Sequence, residues 1–454
     1  MSGLSIRHYS WLRNCRAALL GSCVIGGVIS MPAQANMGNI AMNYGLLPTD
    51  VATAQALSLF NPQISALYYN PAYLAEDGRG ELTMGLIHTT PDLQVESLGG
   101  SNPPIRSGET LVDTPSQQVL LGMKTDLTDI SEYERPIYFG IMLGVEKYGK
   151  EMMAFNSKTS NEGQPLRYER QPLFLNIGGM MVLTHGIDVG VSTLVTLHSD
   201  ADLVARTDLA GNTSYEQINV SAKPSITPIV GMTLDWTKLF CGAGDCFANG
   251  WQTALSYRES TYAGTSISAN TIIPGTIPSP GLTLSIATID AYQPRVVSFG
   301  TQYRGERFRV GITLEEQKWS ALGAELRSDT VKDQAMLEFE DILVPRLGAE
   351  FSVNKHLILS AGIAKEDSPL LGRTSQDVNY FDNDKTVVGL GAALEFSDLP
   401  VLAYPLRLDF GYQYQKLDDR DFDLTTENAP SSPYETIRTG GEAHIFSGSM
   451  TLKF

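Results

Sequence analysis

Along most of its length the chain alternates apolar and polar residues with a period of two. In "LRLDFGYQYQ" one face carries Leu406, Leu408, Phe410, Tyr412 and Tyr414, and the other carries Arg407, Asp409, Gly411, Gln413 and Gln415. "FRVGITLEE" sets Phe308, Val310, Ile312 and Leu314 against Arg309, Gly311, Thr313 and Glu315. "PRLGAEFSV" sets Leu347, Ala349, Phe351 and Val353 against Arg346, Gly348, Glu350 and Ser352. The closing "HIFSGSMTLKF" sets Phe446, Met450, Leu452 and Phe454 against Ser447, Ser449, Thr451 and Lys453. Successive strand side chains point to opposite faces, so each run predicts a strand with one apolar and one polar face.

Fourteen strands are predicted, at 80–94, 116–126, 136–147, 171–183, 187–198, 223–236, 251–262, 292–304, 307–317, 342–353, 356–366, 385–396, 405–417 and 442–454. They are long enough for tilted strands to cross a bilayer. Their number is even, and short connections (184–186, 354–355) alternate with long ones (148–170, 199–222, 263–291, 318–341, 418–441), as in transmembrane barrels. The fold class predicted is all-β, a 14-stranded antiparallel transmembrane β-barrel with its apolar face toward lipid and both termini periplasmic. A last strand ending on Phe454 matches the terminal aromatic that outer-membrane barrels show to the barrel-assembly machinery. Trp236 and Trp251 at one edge, with Tyr412 and Tyr414 toward the other, suit aromatic girdles; ordinary strand aromatics are the alternative.

Composition narrows the choice. Charged residues make up 18% of the chain, below the quarter or so usual in soluble proteins. A net charge of −17 excludes a nucleic-acid partner, which needs a basic face. Residues 1–35 read as a signal peptide: Arg7, Arg13 and Arg16, the apolar "AALLGSCVIGGVISM", then "PAQA", with cleavage before Asn36. A lipoprotein signal at Cys23 is the rival, with a very short apolar region after Arg16. No apolar run after Ala35 is long enough for a spanning helix. Cys241 and Cys246 in "CGAGDC" predict a disulfide pinning a tight turn in an exported chain. A two-Cys metal site is the alternative, with no His nearby to complete it. No metal and no cofactor are expected. His88, His185, His198, His356 and His444 sit in no catalytic motif, so no catalytic residue is expected either.

Residues 36–79 do not alternate. "TDVATAQALSLF" (49–60) reads helical, with Thr49 or Asp50 as N-cap. With fourteen strands in the wall, this segment must lie beneath the barrel or plug its wide lumen. The organisation expected is a signal peptide (1–35), an N-terminal hatch with short helices (36–79) and the barrel (80–454).

"ALYYNPAYLA" resembles the Asn-Pro-Ala signature in the hatch of the FadL-type outer-membrane transporters of long-chain fatty acids and hydrocarbons. "PRVVSFGTQYRGERFRVGITLEEQKWS" resembles that family's paired strands ending in Trp-Ser, here Trp319-Ser320. "VPRLGAEFSVNKHLILSAGIAKEDSPL" resembles its Gly-Ala-Glu hairpin, and "AHIFSGSMTLKF" its closing strand. The resemblance implies a plugged fourteen-stranded barrel in the bacterial outer membrane. It also implies capture of hydrophobic ligands by outer loops, a pocket above the hatch, and sideways release at a kink in the third strand. The matching hatch residues are Asn70, Pro71 and Ala72. In the third strand, "PIYFGIMLGVEKYG", Gly140 or Gly144 permits the kink or simply eases twist. The family's early hatch run is replaced here by "YGLLPTDVATAQALSL".

The loop "GTSISANTIIPGTIPSPGLTLSIATID" carries Ile267, Ile272, Ile273, Ile277, Leu282, Leu284 and Ile286, either as a ligand-capturing surface or as a small core of its own. Met37, Ile40 and Met42 near the mature N-terminus suit varied hydrophobic shapes, or plain packing. Acidic stretches such as 418–423, with Asp382 and Asp384, either hold divalent cations bridging to lipopolysaccharide or form a solvated face. Arg309, Arg346 and Arg407 either receive a cargo carboxylate or pair with Glu315, Glu350 and Asp409. The function expected is passive uptake of fatty acids, alkanes or aromatic hydrocarbons by a monomer. The alternative is a non-selective or structural porin.

Overall fold

The computed structural model describes residues 44–100, 115–147, 155–157, 160–164, 173–207, 213–241, 246–273, 277–328, 337–372, 374–376, 382–397, 400, 402–425 and 431–454. The expected signal peptide and Met37, Ile40 and Met42 lie outside the described residues. Fourteen strands form the wall: β1 (Glu81–Gly99), β2 (Ser116–Asp126), β3 (Ile137–Lys147), β4 (Leu173–Thr184), β5 (Ile187–Thr207), β6 (Thr213–Asp235) and β7 (Trp251–Arg258), followed by β8 (Arg295–Arg304), β9 (Phe308–Lys318), β10 (Ile342–Asn354), β11 (Leu357–Glu366), β12 (Lys385–Phe396), β13 (Leu406–Thr425) and β14 (Glu435–Lys453). Each pairs antiparallel with its neighbours, and β14 closes onto β1 from Lys453 opposite Glu81 outward. Closure leaves no unpaired edge, the condition for strands to stand in lipid.

The apolar faces point outward. On β9, Phe308, Val310, Ile312 and Leu314 are exposed while Arg309, Thr313 and Glu315 are buried. On β14, Phe446 and Met450 are exposed at 53% and 50%, whereas Ser447, Ser449, Thr451 and Lys453 are buried. A water-soluble barrel has the reverse pattern, so this surface is built for a bilayer. Trp251, Phe308, Tyr404 and Phe454 are exposed around the end where the chain terminates, as an interfacial aromatic girdle requires.

Several predicted outer loops are strands instead. β5 and β6 stay paired out to Thr207 and Thr213, and β13 and β14 out to Leu424 and Glu435. The stretch 263–291 is a hairpin of Thr261–Ile273 and Ile277–Gln293, whose first arm lies parallel to the outer end of β5. Its register sets Ile286 opposite Ile267, Leu284 opposite Ala269, and Ile273 opposite Ile277. The physical reason is that pairing satisfies backbone groups as well outside the bilayer as within it. The 318–341 connection carries a helix, Ser320–Ser328.

The hatch fills the lumen and is buried almost throughout from Gly45 to Leu74. Its helix α1 is short, Pro48–Ala52, with Leu47 at the N-cap rather than Thr49 or Asp50. The chain then breaks through left-handed Ala54 (φ 47) and Gln55 (φ 64). A single turn at Ser58–Phe60, helix α2 (Ala66–Tyr69) and a turn at Pro71–Tyr73 follow. The long helix fails because Asp50 organises a knot. Its carboxylate accepts from the Leu47 N–H (3.0 Å), Ser58 Oγ (2.7 Å) and Asn61 Nδ2 (3.2 Å). Burial pushes this carboxyl above its ordinary value, against those hydrogen bonds. An acid raised by folding is most compatible with the fold when protonated, and that advantage is lost as pH rises through the folded value. Hatch amides around 47–61 are therefore expected to exchange more slowly in mildly acidic than in neutral buffer, after correction for intrinsic rates. Equal protection at both would show that no change in the protonation of Asp50 bears on the hatch within that range.

Candidate functional site

Small residues let the hatch backbone touch the wall. A Cβ at Gly389 or Gly411 would come within 2.5 Å of the Ala52 or Pro48 carbonyl oxygen. One at Gly362 would overlap the Thr53 carbonyl, one at Gly190 the Pro71–Ala72 peptide, and one at Gly231 the Asn70 side chain. Glycine is required at these close approaches because a side chain would displace hatch main chain, or at Gly231 the buried Asn70 amide.

The two halves of the lumen differ in chemistry. On β9 to β13 the lining is ionic. Arg309 donates to the Phe60 carbonyl (2.6 Å) and pairs with Glu350 (2.7 Å). Arg346 donates to the Ala54 carbonyl (3.2 Å) and pairs with Glu315 and Glu366. Arg407 pairs with Asp409 (2.7 Å), and Lys385 with Glu366 (2.8 Å). Thr313 and Gln413 donate to the Ala56 and Val51 carbonyls. Of the two roles open to Arg309, Arg346 and Arg407, the structure shows the ion pairs that hold the hatch.

Across β2 to β6 the lining is apolar. Leu120, Tyr138, Met142, Phe174, Met180, Leu194 and Ile229 form one buried cluster with Ile64, Leu67, Tyr68 and Tyr69 of the hatch. Gly140 and Gly144 face this cluster: Ile64 and Leu67 cover Gly140, and the Phe174 ring covers Gly144. β3 pairs with β2 and β4 without a register shift. Near this sector's lower end, buried Lys124 donates to the Pro62 and Leu74 carbonyls (2.5 and 3.0 Å) and to Asp77 (2.7 Å), with Glu81 at 3.7 Å.

Above the hatch lies a cavity lined by Tyr44, Tyr68, Arg258, Gln293, Trp319 and Lys385, among others. Arg258 sits 4.2 Å over the Tyr68 ring, and the Tyr68 hydroxyl donates to Gln293 (3.0 Å). Sequence reasoning missed Arg258 and Tyr68, because nothing in the strand pattern says that these two meet.

The other predicted residues fall in separate places. Asn70 is buried, caps the Pro71–Tyr73 turn, and donates to the Leu59 carbonyl and Thr233; Pro71 and Ala72 press on β5 and β6. Ile272, Ile273, Ile277, Leu282, Leu284 and Ile286 lie on the outer hairpin. Cys241 and Cys246 are joined by a disulfide in the β6–β7 connection. Among the outer acids, Asp421 pairs with Arg438 and Asp418 with Lys365. The described residues contain no cluster of three or more His, Cys, Asp or Glu poised for a metal.

The family profile described as "Outer membrane protein transport protein (OMPP1/FadL/TodX)" matches residues 249–454. Alkane uptake protein A of Marinobacter nauticus is 47% identical over 445 residues, covering 97% of this chain and 96% of its own. The fold is similar to a crystal structure of a Pseudomonas aeruginosa FadL homologue, with TM-score 0.60, 13% identity, and 92% and 99% of the two chains covered. It is also similar to the Pseudomonas putida toluene transporter TodX, with TM-score 0.53, 13% identity, and 90% and 99% covered. With its closed fourteen-stranded wall and plugged lumen, the chain belongs to the OMPP1/FadL/TodX family of outer-membrane proteins that take up hydrophobic compounds.

Proposed function

We propose that this protein takes up long-chain alkanes passively and releases them sideways into the outer membrane beside β3. The observation that carries this reading is the one-sided lining. Apolar residues are gathered on β2 to β6, while the cations on the opposite side are consumed by acids and hatch carbonyls. A chain moving along the apolar sector gains about 0.8 kcal/mol for each CH₂ it buries, so no energy source is needed. The name of the M. nauticus relative supports alkane over fatty acid.

In this reading the outer hairpin, with Ile272, Ile273, Ile277, Leu282, Leu284 and Ile286, collects cargo, joined by Met37, Ile40 and Met42. The cargo passes the cavity beside Tyr68, and the Ile64–Leu67 contact over Gly140 yields. The chain leaves where Gly144 puts no side chain on β3. Asn70, Pro71 and Ala72 keep the hatch seated during passage. Phe454 presents the barrel to its assembly machinery, lipopolysaccharide surrounds the outer loops, and the monomer is the working unit.

The test is growth of a deletion strain on long-chain alkanes and on long-chain fatty acids, complemented by wild type or by Gly140→Val with Gly144→Val. The expected result is growth on alkanes restored by wild type and not by the double variant. Undiminished growth of the uncomplemented strain on every hydrophobic carbon source, with no second copy present, would favour a porin or structural role.

A further inference from the structure

Among the described residues of the apolar sector, Asn176 has both polar atoms of its side chain buried without a partner, while Tyr69 and Gln118 each leave one such atom. Asn176 lies on the inner face of β4 and is fully buried. Its cross-strand neighbours are Met142 on β3 and Leu194 on β5, both buried, and on the same strand Phe174 and Gly178 flank it, with buried Met180 beyond. Neither its Nδ2 nor its Oδ1 has a hydrogen-bond partner. Leaving both unmet costs the desolvation of an amide, and folded proteins keep few such groups without a reason. A leucine of similar size would complete the cluster, so the amide is set for a group that arrives from elsewhere.

We propose that Asn176 is the recognition point for the terminal hydroxyl of a long-chain alcohol passing along the apolar sector, a specificity that rests on the uptake route above. An amide donates and accepts, and so does a hydroxyl, so a single –OH satisfies both orphaned atoms while its alkyl chain lies against Met142, Leu194 and Phe174. A carboxylate is a poorer match, since it only accepts and demands a compensating charge. The described lumenal cations Lys124, Arg309, Arg346, Arg407 and Lys385 are each paired with an acid, and Arg258 is stacked on Tyr68 at the mouth. The parent alkane still passes, but it leaves the amide unmet. Sites built around a hydrogen bond discriminate against the analogue lacking the group.

The experiment measures uptake of radiolabelled 1-hexadecanol and hexadecane by a deletion strain carrying wild type, Asn176→Leu, Asn176→Val or Asn176→Gln. Outer-membrane amounts are matched by heat-modifiable mobility. The apolar variants are expected to lower the alcohol-to-alkane uptake ratio about fivefold to tenfold, the worth of one hydrogen bond. Gln is expected to restore most of the ratio by returning the amide, and Leu to raise the melting temperature of the empty protein. Two apolar variants guard against one that fails to assemble. If wild type carries both compounds and the ratio stays within twofold of wild type in Leu and Val, Asn176 has no such role and the uptake reading stands. If wild type carries neither above the deletion background, the uptake reading falls and this inference falls with it.

Discussion

Lys124→Met is expected to unseat the hatch. Lys124 is fully buried on β2 and bridges two hatch carbonyls, Asp77 near the end of the hatch, and Glu81 at the start of β1. Methionine fills the volume but supplies no charge or donor, so the Pro62 and Leu74 carbonyls lose that donor and Glu81 keeps only the Ile64 N–H and the Thr83 hydroxyl, with no Lys124 cation beside it. Breaking a buried ion pair from one side typically costs about 3–5 kcal/mol. The wall is held by its own ladder, so the loss falls on the plug. Single-channel recordings should show openings absent from wild type, while heat-modifiable mobility reports an intact barrel. Adding Glu81→Gln should recover part of the loss, since it removes the stranded charge. Wild-type conductance in the single variant would place the hatch's hold elsewhere.

Gly362→Val should have a comparable effect by a steric route. A Cβ there would overlap the Thr53 backbone, which has no rotamer to move aside. Overpacking of this kind costs about 1–3 kcal/mol, and more when main chain must shift. The relief available is displacement of the Ala52–Gln55 turn, which already holds two residues in the left-handed region. Limited proteolysis from the periplasmic side should cut the hatch faster than in wild type. Gly448→Ala is the matched control: on β14 nothing lies within 4 Å of its Cβ position, so that variant should be silent. Equal proteolysis of all three proteins would mean that the hatch tolerates a shift at Thr53.

The wall was legible because period-two patterning is local. Each of the fourteen strands falls on its predicted run, and β2 and β12 share both ends with theirs. What patterning left open was which face met water, and exposure of Phe308, Ile312, Phe446 and Met450 resolves that. Where the strands stop was not legible, because alternation weakens outside the bilayer while pairing continues, as in the Thr261–Ile273 and Ile277–Gln293 hairpin. The hatch has the short helices expected of it, but the helical run expected over 49–60 breaks after Ala52 because its shape depends on distant partners: Asp50 bonds across eight and eleven residues, and the wall fixes the rest. The division of the lumen into an ionic and an apolar half was also hidden, since it requires the ring order of the strands. Asn176 is a single letter in "LFLNIGG", and only its surroundings make it unusual.

Part of the wall's grip on the plug falls on main-chain oxygens, beside the side-chain contacts of Gln63, Tyr68, Asn70, Tyr73 and Asp77. Arg309, Arg346, Thr313, Gln413 and Lys124 all donate to hatch carbonyls, at Phe60, Ala54, Ala56, Val51, and Pro62 with Leu74. Carbonyls are common to every residue, so this part of the fastening does not depend on the side chains that the plug carries at those positions. Selection is then free to rewrite the plug's side chains for a new cargo while its mounting stays fixed. That mounting also accommodates "YGLLPTDVATAQALSL", the stretch at which the FadL-type resemblance implies a different run. The plug works as a replaceable cartridge, and exchanging it between barrels of different taste is the engineering route this mounting invites.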